Sequence, residues 1–259
     1  MDDKIQLNQR LPFPCPVDSW HCHSVRECDS TNTLAAQLLK HTPRLFIRTD
    51  HQTAGRGQRG TTWSDQPGQS LLCSLGIKAL KVRPEEAFYI TMQASLGVRN
   101  LIESILPEQQ VRIKWPNDIL VNGDKIAGIL VENQLRGQFI RQSIIGIGIN
   151  LNQLQAPYPN TTSLRLISGQ TYAAQKLAAA LREALSRLPA TYQTLRQVYL
   201  RHLLAYQSWY LFERNSNQES FMAKIIGVDV WGRLHLQHPD QHEEYAEVKA
   251  LKWISPVAP

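Results

Sequence analysis

A short stretch between Gln52 and Trp63 concentrates glycine and arginine on a predicted loop. These residues are Gly55, Arg56, Gly57, Arg59 and Gly60. Glycine lets backbone N–H groups approach an anion without a Cβ atom in the way, and a guanidinium offers a planar fork of donors to phosphate or carboxylate oxygens. The stretch is neither a Walker A loop nor a dinucleotide fingerprint. Alone, it fits an anion-binding loop, an RNA contact or a flexible, solvated connection.

A second polar run, Lys114-Trp-Pro-Asn-Asp118, interrupts two apolar segments. Its proline removes a backbone donor, so the sheet is expected to break at this point. Asn117 and Asp118 either build an Asx turn or face a site, and their position at a break in a buried sheet favours a site.

A lysine opens the next run, Lys125-Ile-Ala-Gly-Ile-Leu-Val-Glu132. Strict alternation along a strand predicts that Lys125 shares a face with the apolar Ala127, Ile129 and Val131. A lysine on such a face needs an anionic partner.

Glycine recurs at alternate positions in Gly146-Ile-Gly-Ile-Asn150, and Gly128 stands on the neighbouring predicted strand. Missing side chains on one strand face leave either room for close helix packing or a slot for a ligand. Together with the preceding runs, this pattern favours a flat ligand lying on a sheet.

Hydrophobic spacing predicts the elements that must position these runs. A helix beginning at Ser30 or Thr31 is expected to be capped by side chains of Asp29-Ser-Thr-Asn32. A second helix is predicted from Pro84 to Ile105, with two more at about 173–188 and 191–204. Strands are predicted at 45–49, 71–77, 111–115, 118–122, 125–134 and 139–150, the hairpin signal Asn122-Gly123 joining two of them. Shorter strands follow at 209–212, 221–226, 233–237 and 245–253.

This order of elements predicts an α+β protein with a mixed central sheet flanked by helices. The change to short strands after Gln207 divides the chain into a larger domain of residues 1–206 and a small β-barrel of residues 207–259.

The composition describes ordinary globular material, with 259 residues, 42% hydrophobic and 19% charged. No predicted signal peptide and no window of roughly 20 apolar residues is present, and four cysteines do not form a disulfide scaffold. We therefore expect a cytoplasmic protein with no membrane contact. The net charge of +6 indicates attraction for phosphates or an acidic partner without separating nucleotide, nucleic acid and protein.

The order Ser30-Thr-Asn32, GRGxxG with Trp63, KWPND, KxAGILVE and GxGIN resembles that of the biotin protein ligases. These motifs span residues 30–150, and the β-rich end is similar to the SH3-like C-terminal domain of that family. The resemblance implies a catalytic domain related to class II aminoacyl-tRNA synthetases and to lipoate ligases. It also implies that biotin and ATP with magnesium bind side by side, that biotinyl-5'-adenylate forms, and that a lysine of a biotin carboxyl carrier protein accepts biotin.

The resemblance assigns roles to particular side chains. Arg56, Lys125 and Asp118 are the implied catalytic residues, with Asp118 orienting the acceptor lysine. The implied biotin-binding residues are Ser30, Thr31, Asn32, Gln52, Gly55, Arg56, Gly57, Lys125 and Gly128. The implied ATP and adenylate residues are Gln58, Trp63, Lys114, Asn117, Asp118 and Asn150, with Asn117 a candidate contact to magnesium. All of these precede Gln207.

Two departures from the family pattern matter. Many members carry arginine where this chain has Gln58, so a cationic clamp on the adenylate is missing unless Arg59 replaces it. Only 29 residues precede Ser30, so we expect no DNA-binding helix-turn-helix domain. A homodimer is compatible with the sequence. The alternatives are a lipoate or octanoate ligase, which needs a long apolar tunnel, and a non-catalytic basic RNA-binding module, which leaves KWPND and KxAGILVE unexplained.

Overall fold

The computed structural model describes residues 13, 15–156 and 158–256, apart from the side chains of Arg59, Ala79 and Lys81. Seven strands form the first sheet: β1 (His21–Cys28), β2 (Arg44–Gln52), β3 (Ser70–Val82), β4 (Val111–Lys114), β5 (Asp118–Val121), β6 (Asp124–Arg136) and β7 (Phe139–Asn150). Their spatial order is β1-β2-β3-β7-β6-β5-β4. Only the β1–β2 pair is parallel among these described strands, so the expected mixed sheet is confirmed.

Five helices accompany the described strands: α1 (Thr31–Leu38), α2 (Phe88–Ile105), α3 (Leu164–Ser168), α4 (Ala174–Ser186) and α5 (Tyr192–His202). Helix α2 packs against α4, α5 and the sheet face that carries the main apolar core. Helix α1 covers part of the opposite face through a smaller cluster around Leu39 and Leu45. The rest of that opposite face is left for a site.

Strand parity explains which side chains meet there. On β7, Ile145, Ile147 and Ile149 belong to the main core, so Gly146 and Gly148 face the other way. Register pairs Gly148 with Gly128 and Gly146 with Leu130 on β6. The predicted strand face without side chains therefore exists, and it lies on the side of the sheet away from α2.

A second sheet of five antiparallel strands follows, in the order β11-β10-β9-β8-β12. The strands are β8 (Trp209–Arg214), β9 (Ser220–Val228), β10 (Leu234–Gln237), β11 (Glu243–Ala246) and β12 (Leu251–Pro256). It shares one continuous core with the first sheet, and the Trp115 indole donates to the carbonyl of Gly232 at 2.8 Å. The division into domains at residues 206 and 207 stays a prediction.

Several local predictions were wrong. The single strand expected at 245–253 is two strands, separated by a turn at residues 247–250. Strand β1 and helix α3 were not predicted. Ser30 is the residue before α1, yet its side chain makes no capping hydrogen bond. The segment starting at Pro84 begins as a 3-10 turn, Pro84–Glu86, before α2.

No helix in the described part of the chain combines the length and apolar character needed to cross a membrane.

Candidate functional site

A cavity of about 260 Å³ lies over the glycine-rich face of the first sheet. It brings together every residue that the family resemblance implied, except Gly55, Lys114 and Asn150. Those that line it are Ser30, Thr31, Asn32, Gln52, Arg56, Gly57, Gln58, Trp63, Asn117, Asp118, Lys125 and Gly128. Gly146 and Gly148 line it as well, so all five motif runs, spread over residues 30–148, meet at one place.

One end of the cavity is a connected polar cluster at the start of α1. The Gln52 side-chain carbonyl accepts from the Thr31 backbone N–H at 2.7 Å and from the Thr31 hydroxyl at 3.0 Å. Ser74, on β3, places its hydroxyl 2.6 Å from Asn32 Oδ1 and 2.7 Å from Thr31 Oγ1. Because these groups are held by one another and by β3, this end presents fixed donors and acceptors rather than an apolar wall.

The cluster continues to the cationic part of the cavity through Glu132. Its Oε2 accepts from the Asn32 amide at 2.7 Å and from the Arg56 guanidinium at 2.9 Å. Glu132 ends the KxAGILVE run on β6, and Asn32 lies so close to β7 that a Cβ at Gly146 would be 2.5 Å from Asn32 Oδ1. Glu132 thus fixes Arg56 and Asn32 relative to each other.

Lys125 lines the cavity and pairs with Asp118, its Nζ 2.7 Å from Oδ1. Its backbone is held on both sides, the N–H donating to Asn160 and the carbonyl accepting from Thr162, each at 2.9 Å. The expected anionic partner is present. Because the charged pair is only about a third exposed, its geometry is defined by the protein more than by solvent.

The prediction that Lys125 shares a face with Ala127, Ile129 and Val131 was wrong. Register pairs Leu120 with Lys125 but Ile119 with Ala127, so Ile126 is an extra residue on β6. Such a bulge shifts the alternation by one position. Ala127 and Ile129 enter the main core, whereas Lys125 lies over Gly128 on the cavity face.

Asn117 lies between β4 and β5, after the proline, and its hydrogen bonds connect this segment to β6. Its amide donates to the carbonyl of Ile129 at 2.6 Å, and its backbone carbonyl accepts from the Ile129 N–H at 3.1 Å. No described residue donates a hydrogen bond to its Oδ1. Asn117 therefore offers an oxygen ligand beside the Lys125–Asp118 pair.

The indole of Trp63 covers the glycine patch. A Cβ at Gly148 would lie 2.6 Å from the ring, and one at Gly128 would lie 3.1 Å from it. The indole N–H is buried and has no hydrogen-bond partner among the described residues. The flat group that lies on the glycines in this structure is therefore the side chain of Trp63.

The glycine/arginine loop folds back on itself as a short hairpin. The backbone N–H of Trp63 donates to the carbonyl of Gly55 at 3.0 Å, and the backbone N–H of Gly57 donates to the carbonyl of Thr61 at 2.6 Å. A Cβ at Gly55 would be 2.4 Å from the Trp63 carbonyl, so this close crossing of backbone requires glycine. The hypothesis that Arg59 supplies the cation missing at Gln58 stays a prediction, because the Arg59 side chain lies outside the described atoms.

Three implied residues lie away from the main cavity. Gly55 lines a neighbouring cavity with Arg56 and Glu132. Lys114 places its ammonium 5.8 Å from the ring centroid of Trp253, and burial lowers its pKa, a shift that the Asp118 carboxylate opposes. Asn150 is buried and donates to the carbonyl of Thr162 at 2.9 Å.

Several residues of the site were not predicted from the sequence. Ser74 was overlooked because a single polar residue in a strand belongs to no motif. Glu132 is the last residue of the KxAGILVE motif, but no role was assigned to it. Lys249 was excluded by the expectation that all binding residues precede Gln207, yet it lines the cavity from the second sheet.

Comparisons with known proteins agree on one family. Residues 25–150 match the model described as the biotin/lipoate A/B protein ligase family. The chain is 40% identical over 130 residues to the bifunctional ligase/repressor BirA of Bacillus spizizenii, covering 48% of this chain and 39% of that protein. It is 33% identical over 125 residues to the biotin--[acetyl-CoA-carboxylase] ligase of Mycobacterium tuberculosis, covering 46% and 44%. The matches thus span less than half the length of either relative.

Among solved structures, the biotin protein ligase from Aquifex aeolicus in complex with biotin and ATP superimposes with a TM-score of 0.68. The match covers 91% of this chain and 99% of that one, at 20% identity. The fold is therefore the expected one, a class II aminoacyl-tRNA synthetase-like sheet followed by an SH3-like sheet.

Proposed function

We propose that this chain, whose residues 25–150 match the model of the biotin/lipoate A/B protein ligase family, is an ATP-dependent biotin protein ligase. It activates biotin to biotinyl-5'-adenylate and transfers the biotinyl group to a lysine of a biotin carboxyl carrier protein. The observation that carries the proposal is a cavity in which Arg56 and the Lys125–Asp118 pair lie beside a fixed polar cluster. Arg56 is oriented by Glu132, which lines the neighbouring cavity.

The polar cluster supports biotin over lipoate or octanoate. The ureido ring of biotin carries one carbonyl acceptor and two N–H donors, which need fixed complementary groups when they leave water. Thr31, Asn32 and Gln52 supply such groups at the buried end of the cavity. An octanoyl chain has no polar groups and would gain no hydrogen bond from this fixed polar end of the cavity.

In the first half-reaction, an oxygen of the biotin carboxylate attacks the α-phosphorus of ATP. A new oxygen–phosphorus bond forms, the bridging bond to the β-phosphate breaks, and pyrophosphate leaves with the electron pair. Two anionic groups approach each other, so fixed cations lower the barrier by stabilising the charge that develops. Arg56 and Lys125 are placed to do so, each already oriented by a carboxylate.

In the second half-reaction, the acceptor lysine nitrogen attacks the acyl carbon of the adenylate. A carbon–nitrogen bond forms, the bond to the phosphate oxygen breaks, AMP leaves, and the nitrogen loses a proton. Asp118 orients the incoming amine, because its carboxylate lies 2.7 Å from Lys125 Nζ and so stands next to the reacting centre.

Magnesium enters as part of the ATP substrate. Mg²⁺ prefers oxygen ligands and often keeps several waters while binding substrate phosphates. The oxygen of Asn117 fits such an ion, whereas no group of three His, Cys, Asp or Glu side chains in the described structure forms a cage of its own. The ion would therefore be held mainly by ATP, where it neutralises phosphate charge.

The direct test is biotin-dependent exchange of labelled pyrophosphate into ATP by the purified protein. We expect exchange with biotin and little with lipoate or octanoate, followed by labelling of a carrier domain when one is added. Faster exchange with octanoate or lipoate than with biotin would overturn the choice of substrate. No exchange with any of the three acids would overturn the proposed ligase activity.

A paired substitution tests the polar cluster. Gln52→Ala removes the acceptor that holds Thr31 and should raise the KM for biotin by about tenfold while changing the KM for ATP little. Gln175→Ala, at an exposed position on α4, is the matched control and should change neither constant. An equal rise in both KM values for Gln52→Ala would contradict its assignment to biotin.

A further inference from the structure

One cavity-lining residue belongs to none of the sequence runs discussed above. Lys249 lies in the turn between β11 and β12 of the second sheet, at the exposed rim of the cavity. Its Nζ donates to the backbone carbonyl of Gln58 at 3.0 Å. A residue 191 positions away thus brings a positive charge to the loop residue whose own side chain is a neutral amide.

The turn that presents Lys249 is fixed by hydrogen bonds. Ala250 N–H donates to the carbonyl of Glu247 at 2.9 Å, closing the turn. The Asn215 side chain donates to the Lys249 carbonyl at 2.6 Å, and its backbone N–H donates to that of Ala250 at 2.9 Å. The ammonium is therefore delivered by a defined backbone rather than by a loose end.

The backbone of Lys249 is also strained. Its φ is +66°, a left-handed conformation that glycine adopts without strain and other residues rarely adopt. Among the described non-glycine residues with positive φ, it alone carries a charged side chain. Glycine would form this turn without strain, so the turn alone does not explain a lysine at this position. A role for the ammonium group at the cavity does.

The charges around it show what that role can be. Arg56 and Lys125 are each paired with a carboxylate, at 2.9 and 2.7 Å. Lys249 forms no ion pair with a described residue, and its visible partner is a neutral carbonyl. Of the cavity-lining cations whose side chains are described, it is therefore the one whose charge is not already balanced by the protein.

We propose that Lys249 is a phosphate-contacting residue of the site: the second sheet supplies its ammonium group to the phosphate oxygens of ATP and of the adenylate formed from it. The identity of the nucleotide rests on the proposed function. The contact makes the second sheet part of the nucleotide site and places a cation at the end of the glycine/arginine loop, where Gln58 provides none.

The alternative is that Lys249 only tethers the loop to the second sheet through the Gln58 carbonyl. Three substitutions separate charge from tether. Lys249→Arg keeps both, Lys249→Gln keeps an N–H donor for the carbonyl but loses the charge, and Lys249→Met loses both. Lys252→Gln is the control, since Lys252 lies on the same sheet, pairs with Glu213 at 3.2 Å and does not line the cavity.

The measurement is the Kd for a non-hydrolysable ATP analogue with magnesium, determined by calorimetry without biotin at two salt concentrations. Loss of a hydrogen bond to a charged group should raise Kd about ten- to a hundredfold in Lys249→Gln and Lys249→Met. Lys249→Arg should stay near the wild-type value, and Lys252→Gln within about threefold of it. The wild type should lose more affinity at high salt than Lys249→Gln does.

Wild-type affinity in Lys249→Gln, with loss only in Lys249→Met, would show a tether and overturn the proposal. Unchanged affinity in all three variants, or no binding of the analogue to the wild type, would overturn it as well. Because the binding assay contains no biotin, it is separate from the proposed function. Tight ATP binding that depends on the Lys249 charge, without biotin-dependent pyrophosphate exchange, would retain Lys249 as a nucleotide contact and reject the ligase.

Discussion

Lys125→Ala should abolish most adenylate formation while leaving the fold intact. The side chains of Lys125 and Asp118 are 35% and 26% exposed, so the pair contributes at most about 1 kcal/mol to stability. In the proposed reaction, however, the same ammonium would stabilise two anions that must approach each other. Removing one preorganised group of this kind costs on the order of 10²- to 10³-fold in rate, or about 2.7–4 kcal/mol of activation free energy. The effect on rate should therefore exceed the effect on folding several times over.

The assay compares the initial rate of biotin-dependent pyrophosphate exchange with the free energy of unfolding in urea. Lys78→Ala is the matched control, because Lys78 lies on the same sheet, donates to the Lys40 carbonyl at 2.7 Å and does not line the cavity. An exchange rate within about fivefold of the wild type for folded Lys125→Ala would refute the role assigned to this lysine. So would an equal loss in the Lys78→Ala control.

Three further predictions concern neighbouring groups. Gly148→Ala would place a Cβ 2.6 Å from the Trp63 ring and should lower the free energy of unfolding by about 1–3 kcal/mol; urea titration should show a much smaller loss in a Trp63→Ala background. Burial raises the pKa of the Asp65 carboxyl from 3.8 to about 6, so the folded state holds its proton more tightly and loses stability as pH rises through that interval. Asp65→Asn should therefore stabilise the protein at pH 7.5 by about 1–2 kcal/mol after solvent screening, and not at pH 3, below both pKa values; the same gain at both pH values would contradict this. Trypsin should cut the loop at Arg56 more slowly with biotin and ATP than without them, since ligand anions would fix its donors, and an unchanged rate would reject closure of the loop.

Most elements of the first sheet could be predicted because their hydrophobic spacing is regular. The chain from Val111 to Asn150 places polar breaks and a glycine turn between apolar runs, and strands β4 to β7 follow them closely. Strand β1 could not be found in this way. Its sequence, His-Cys-His-Ser-Val-Arg-Glu-Cys, shows no apolar alternation, and most of its residues are exposed. It is a strand because β2 pairs with it, and pairing with a distant partner leaves no local signal.

Most residues that the motifs pointed to line one cavity, whereas residues that only the three-dimensional packing brings there were not predicted. Resemblance located Arg56, Asp118 and Lys125, and the structure brings them together, although their roles stay proposals. Lys249 lies in a segment without a motif, and only the packing of the second sheet against the first delivers it to Gln58. No pattern within a window of sequence can report a contact of that kind.

The bulge at Ile126 made the predicted strand face of Lys125 wrong, although the predicted anionic partner of Lys125 is present. Counting alternate positions placed Lys125 in the apolar row, and a lysine there would have needed an anion to offset burial. The extra residue instead turns Lys125 toward the cavity while Ala127 and Ile129 remain in the core. The anion is present all the same, because β5 brings Asp118 across from Gly128, over which Lys125 lies. Deleting Ile126 would restore regular alternation and shift Lys125 by one position. We therefore expect a protein without pyrophosphate exchange, and full activity in such a deletion would show that the bulge does not position the lysine.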